Sequence, residues 1–138
     1  MHANQTISYP EACAFVGAAL DAARAAHGDA AAVACAVVGA SGELIAFGAQ
    51  DGTGVLPRRL ASRKAYSAVL FKRDTSAVRD AVDAGAIPLS RLGDDELLPI
   101  PGGVPVVVDG RIVGGVGVSG LAPDQDAEIA RGVVAGGR

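Results

Sequence analysis

Several kinds of residue are scarce in this chain of 138 residues, and each scarcity narrows the structures it can form. There is no tryptophan, there are two tyrosines and three phenylalanines, and Met1 is the only methionine. The core therefore has to be built mainly from valine, alanine, leucine and isoleucine. Two isolated cysteines, Cys13 and Cys35, lack the spacing of a metal or redox motif. We expect both to be buried thiols in a reducing compartment.

Strong net charge and long apolar runs are also absent. The formal net charge is −3 at pH 7, whereas proteins that bind nucleic acid generally present a basic surface. No apolar run approaches the roughly 18 residues of a membrane-spanning helix, and residues 1–9 lack the basic and apolar parts of a secretory signal. We therefore expect a cytoplasmic protein that binds neither nucleic acid nor membranes, folded as a single domain over residues 1–138.

Capping and turn signals divide the chain into helices and strands. Ser8 and Glu11 form a capping-box pattern, Gly28 ends the first helix, and Pro57 opens the second. The predicted helices cover residues 9–27, 57–72, 77–84 and 123–134. Strands over 33–40 and 43–49 form a hairpin around Ser41-Gly42, and a short strand is expected around Leu97. Hairpins with covering helices indicate an α+β fold.

The segment 101–120, PGGVPVVVDGRIVGGVGVSG, contains seven glycines. Asp109-Gly110 separates two apolar β-branched runs, which predicts a second hairpin. Gly114, Gly115 and Gly117 interrupt its returning strand. Because glycine in a strand often marks the close approach of another backbone or a ligand, we expect something to pack against bare backbone there.

This segment, continued to Asp126, resembles the GlcG/HbpS-like family, also described as a haem-degrading domain and related to the C-terminal domain of PduO-type proteins. Residues 33–52 (VACAVVGASGELIAFGAQDG) and 61–69 (ASRKAYSAV) carry the same resemblance. It implies a profilin-like sandwich, in which a five-stranded antiparallel sheet has helices on both faces. It also implies a homo-oligomer that binds a small molecule, with haem or a corrinoid as candidate cofactors.

Lys64 is the first candidate for chemistry. It borders the inward stripe of the second helix, so it either extends to solvent or points into a polar pocket, and the resemblance favours the pocket. A partly buried lysine would have a lowered pKa and could bind an anion or act as a base. Asp51, in an Asp-Gly pair, is ordinarily a turn residue. The resemblance places it near the pocket, where it would orient Lys64 or Arg63.

Six of the twelve basic residues lie in the segment from Arg58 to Arg73. This cluster is either a solvated helix face or a local site that binds an anion. In the anion-site interpretation, Arg63 and Lys64 supply positive charge and three glycines allow close approach of the ligand: Gly102, Gly103 and Gly117. Val104 would also lie in that site. In some members of the family that the chain resembles, the position of Val104 carries a residue with a side-chain oxygen. Valine has no such oxygen, which weakens the case for haem here.

Two further residues have both a structural and a chemical interpretation. His27 ends the first helix, where the helix dipole favours a cation, but an imidazole can also ligate haem. Ser119 lies between glycines without the spacing of a nucleophile elbow, and we interpret it as a turn residue. No metal-ligand spacing is present, so whether the chain holds a metal stays unknown at this point.

These observations leave two hypotheses. The first is a protein that binds a small anionic molecule between the second helix and the glycine-bearing strands. The alternative is an enzyme that acts on a small carboxylated metabolite, with Lys64 as base or electrostatic catalyst. Broad apolar arcs on the first and last helices predict that these helices are shared between the subunits of a homo-oligomer.

Overall fold

The computed structural model describes residues 5–137, in which four helices pack against one antiparallel sheet. The helices are α1 (Tyr9–His27), α2 (Val55–Phe71), α3 (Thr75–Asp83) and α4 (Pro123–Gly136), and a 3₁₀ turn covers Leu89–Arg91. The strands are β1 (Ala34–Gly39), β2 (Leu44–Ala49), β3 (Gly103–Val108) and β4 (Arg111–Ser119). His2, the other of the two histidines in the chain besides His27, lies outside the described residues.

The sheet has four strands within the described residues, in the order β2-β1-β4-β3, and all neighbours are antiparallel. Both predicted hairpins are confirmed, but the expectation of five strands is wrong. The segment around Leu97 was expected to supply the fifth strand. Its backbone instead bonds locally, from Leu97 N to Asp94 O at 3.2 Å, and Leu98 N bonds to the Ser67 hydroxyl on α2 at 2.8 Å. Its amides are therefore used by a turn and a helix side chain.

Helices cover both faces of the sheet, as expected. On β1 the side chains alternate: Cys35 and Val37 pack into the larger core with α1 and α4, whereas Ala36 and Val38 pack towards α2. This alternation follows from the two-residue period of a strand, and burial of all six β1 residues makes β1 a central strand. The α+β class is therefore confirmed, while the profilin-like description stays a prediction.

The predicted ends of the helices hold to within a few residues. Ser8 and Glu11 form the expected capping box, with Glu11 N donating to Ser8 Oγ and Ser8 N donating to Glu11 Oε1. Helix α2 begins at Val55, two residues before the predicted Pro57. One burial prediction is half wrong: Cys35 is buried, which raises its pKa to about 12, but Cys13 is exposed on the outer side of α1.

Helix α2 lies directly on the glycines of β3 and β4. A methyl group added at Gly117 would collide with the Ala61 carbonyl oxygen and would lie 2.7 Å from Ala65 N, and one added at Gly115 would lie 2.7 Å from Ala65 O. A methyl group at Gly103 would strike the carbonyl of Lys64. The backbone expected to approach these glycines is therefore that of α2 itself.

We expect Gly117→Ala to lower the free energy of unfolding by at least ~1–3 kcal/mol, since the helix cannot retreat without losing its contacts with the sheet. The control is Gly17→Ala, in the interior of α1, where an added methyl group meets nothing within 4 Å. That variant should be neutral or stabilised by up to ~1 kcal/mol, because alanine favours helix. Urea denaturation measures both, and equal stabilities would contradict the close packing.

Candidate functional site

Lys64 is buried in an ion pair rather than aimed into an open pocket. Its side chain is 2% exposed, and its Nζ lies 3.1 Å from Asp126 Oδ2 and 3.1 Å from the Val118 carbonyl oxygen. The other carboxylate oxygen of Asp126 accepts a 2.9 Å hydrogen bond from Leu121 N. The pair therefore connects α2, the end of β4 and the first turn of α4.

Each member of this pair titrates away from its ordinary value. Burial lowers the pKa of Lys64 and raises that of Asp126, because both charges are costly away from water. The attraction between them opposes both shifts. The pair links α2 to α4, and Asp126 occupies the position at the ammonium group that an anionic ligand would need.

The structure brings some of the predicted site residues to Lys64 and leaves others elsewhere. Gly102 is close, since a methyl group there would lie 2.9 Å from Lys64 Nζ, and Gly103 and Gly117 contact the backbone of α2. Val104 is buried in the core on the α1 side of the sheet. Asp51 is exposed in the turn between β2 and α2, where Gly52 adopts a φ of 86°.

Arg63 points away from Lys64 towards the loop that follows the 3₁₀ turn. Its Nη2 donates to the Asp95 carbonyl oxygen at 2.7 Å, while its buried Nε has no hydrogen-bond partner in the described part of the chain. On the next turn of α2, the Tyr66 hydroxyl bonds to Asp94 Oδ2 at 2.5 Å. Arg63 thus helps to fasten this loop on α2.

Asp126 was not identified from the sequence as the partner of Lys64. Like Asp124, it stands in the first turn of α4, where the helix dipole favours an acidic residue without any partner. A signal for its burial was present, because Asp126 stands four residues before Ala130 and seven before Val133, on the buried stripe of α4. An acid on an apolar stripe requires a partner, and Lys64 was the matching base on α2.

A surface cavity in the described chain lies between α1 and α4, away from Lys64. It has a volume of about 620 Å³, within the range of small-molecule pockets. Six of its lining residues are alanines or glycines of the two helices, and His27 lines it at the end of α1. We call this cavity the α1–α4 groove. Its small wall residues are Ala14, Ala18, Ala22, Ala26, Gly132 and Gly136.

Comparison with known proteins identifies the family. A family model described as haem degrading protein HbpS-like matches residues 7–135. The chain belongs to the HbpS-like family. It is 36% identical over 87 residues to Protein GlcG of Escherichia coli K12, which is 63% of each of the two chains. The match therefore spans less than two thirds of GlcG.

Two solved structures of the family have the same fold. HbpS of Streptomyces reticuli, as a double mutant, superimposes with a TM-score of 0.86 at 28% identity, covering 98% of this chain and 89% of that one. A haem complex of PduOC superimposes with a TM-score of 0.84 at 26% identity, covering 94% of both chains. Within residues 5–137, no helix is long and apolar enough to cross a membrane.

Breaking the Lys64–Asp126 pair should be costly. We expect Asp126→Asn to lower the free energy of unfolding by ~3–5 kcal/mol, because the lysine charge stays buried without a counter-ion. The double variant Lys64→Met/Asp126→Leu should recover most of that loss. The control is Arg131→Ala, which breaks the exposed pair with Asp74 and should cost at most ~1 kcal/mol. A loss no larger than that of the control would contradict the buried pair.

The Asp126→Asn variant should also gain stability as the pH rises. Without the carboxylate, burial alone acts on Lys64 and holds its folded pKa below the ordinary 10.5. Between these two values the unfolded chain binds more protons than the folded one, so the free energy of unfolding increases with pH. Denaturation at about pH 7 and about pH 10 should show a smaller deficit from wild type at the higher pH. A deficit that stays constant or grows would contradict this prediction.

Proposed function

We propose that this protein binds a flat, largely apolar ligand of the haem type in the α1–α4 groove. The observation that carries the proposal is the groove itself, about 620 Å³ in volume, with alanines and glycines on both helices and an exposed imidazole at one end. Small side chains on two neighbouring helices leave a slot that can accept a planar ring. The haem complex of a relative with the same fold supports this ligand class.

The residues of the groove match haem in part. Phe15, Ile129 and Val133 offer apolar surface to a macrocycle, and His27 would supply an axial ligand through an imidazole nitrogen. The charged lining residues are Glu11 and Glu128, which do not suit propionates. Binding would therefore depend on apolar burial and on the imidazole. When bound, haem would supply redox or oxygen chemistry, which its protein surroundings tune.

The groove replaces the space between α2 and the strands as our proposed ligand site. There, the α2 backbone contacts Gly103 and Gly117, and Asp126 takes the ammonium group of Lys64. The enzyme hypothesis required Lys64 to meet a substrate, which its 2% exposure does not provide. The cytoplasmic location stays a prediction.

Titration with haemin tests the proposal. We expect wild-type protein to shift the Soret absorption saturably at one equivalent per chain, and His27→Ala to weaken binding by roughly tenfold or more. Ala18→Leu should weaken it as well, since Ala18 lines the groove and leucine would fill it. The matched control is Ala25→Leu, an exposed position of α1 outside the groove lining, which should bind as wild type does.

The same titration distinguishes the two sites. Arg63→Ala and Lys64→Met should leave haem binding unchanged if the groove holds the ligand. If these variants bind haem more weakly while His27→Ala and Ala18→Leu bind it normally, the ligand site lies between α2 and the strands instead. Absence of any saturable shift in wild type, or equal effects of Ala18→Leu and Ala25→Leu, would overturn the proposal.

A further inference from the structure

Exposed large apolar side chains are concentrated on two elements, β2 and α2. Eight such residues occur among those described, and five of them belong to β2 or α2. We call these five the β2–α2 surface: Leu44, Phe47, Val55, Leu56 and Leu70. Contiguous exposed apolar surface commonly marks an interaction site. The α1–α4 groove lies across the sheet from this surface, so the two features are separate.

The sheet topology explains why this surface is uncovered. β2 is an edge strand, and α2 packs over β1, β3 and β4 but hardly over β2. Phe47 pairs with Ala36, whose side chain packs against Ala61 of α2. Since directly opposed residues share one face of a sheet, Phe47 lies on the α2 side, where it is 42% exposed.

The edge formed by β2 lacks the usual protection of an exposed strand. Soluble proteins guard such edges with charged residues or proline, yet LIAFGA (Leu44–Ala49) contains neither. The opposite edge strand, β3, does contain Pro105. An unguarded apolar edge is suited to be covered by another chain.

The outer face of α2 has a pattern that fits a second copy of itself. Five residues spaced three and four apart form a stripe opposite the buried residues Ala61, Lys64, Ala65 and Ala68. The stripe consists of Leu56, Arg59, Arg63, Tyr66 and Leu70. Its two ends are leucines at equal distance from Arg63, so a twofold axis near Arg63 would place each leucine against the other.

The charges on this face are complementary under the same axis. Arg59 lies on one side of Arg63, while the loop held by Arg63 and Tyr66 brings Asp94, Asp95 and Glu96 to the other side. Reversing the helix direction sets Arg59 against the acidic loop of the second copy. An interface between identical surfaces requires this kind of self-complementarity.

We propose that the β2–α2 surface binds a second copy of this chain around a twofold axis near Arg63, with Leu56 facing Leu70 of the partner subunit. The proposal moves the expected subunit contact away from α1 and α4. The apolar arc of α4, which motivated that expectation, is buried within the chain at Ala127, Ile129 and Val133.

Light scattering coupled to size exclusion tests the surface. Wild type should be a dimer or a larger even-numbered assembly, and Phe47→Glu and Leu56→Glu should each weaken association by at least roughly tenfold. The matched control is Val108→Glu, because Val108 is 41% exposed on β3 and Phe47 is 42% exposed on β2. The control should assemble as wild type does, and circular dichroism should show that all three variants fold.

Charge reversal tests the arrangement. Arg59→Glu and Glu96→Arg should each weaken self-association, whereas an equimolar mixture of the two variants should associate more tightly than either alone. The proposed interface would be contradicted if wild type is a monomer or if assembly survives both Phe47→Glu and Leu56→Glu. It would also be contradicted if Val108→Glu disrupts assembly as strongly as they do. A mixture no tighter than its components would overturn the twofold arrangement. His27→Ala should leave assembly unchanged, so failure of the haem proposal is separately visible.

Discussion

The contact between α2 and β4 is made by backbone as much as by side chains, and the arrangement of the other elements depends on it. Helices usually stand away from a sheet by the depth of a side-chain layer. Here Gly115 and Gly117 present bare strand to Ala61 and Ala65, so carbonyl oxygens of the helix lie where side chains would be. This closeness leaves little apolar volume to hold α2. Lys64 adds the missing attachment by reaching to the end of β4 and to Asp126 on α4.

Much of the fold was predictable from local chemistry. Three local features depend on only a few neighbouring residues each: the capping box at Ser8, the Asp109-Gly110 turn and the glycines at helix ends and turns. The sequence therefore contains the signal for them. The fifth strand was mispredicted because the segment around Leu97 satisfies its amides with the Ser67 hydroxyl and a local turn. Such a partner lies 31 positions away, and no local pattern indicates it.

The candidate site was harder to predict, because a residue type does not reveal its partner. The sequence left open whether Lys64 extends to solvent or points into a pocket; in the structure it is buried, and burial lowers its pKa. The same perturbation arises in a catalytic lysine and in a structural ion pair. What distinguishes them is the group at the ammonium, and Asp126 lies 62 positions away. The α1–α4 groove was missed for a different reason: alanines on a helix indicate close packing, and only the tertiary arrangement shows where packing is incomplete.

Because helices cover both faces of the sheet, we expect binding sites on the outer surfaces of the molecule. Backbone contact closes the side of α2, and the core closes the inner faces of α1 and α4, so the ligand site that we propose is a seam between helices. The groove is one such seam, and Gln125 and Ile129 in its wall flank Asp126 in the sequence. Asp126 is bound to Lys64 on α2, whose outer face forms part of the β2–α2 surface. A displacement of α4 by a ligand would therefore strain a buried ion pair that ends on the helix of the opposite face. Since coupling between two binding sites is reciprocal, any effect of a ligand on assembly through α2 would equal the effect of assembly on ligand affinity.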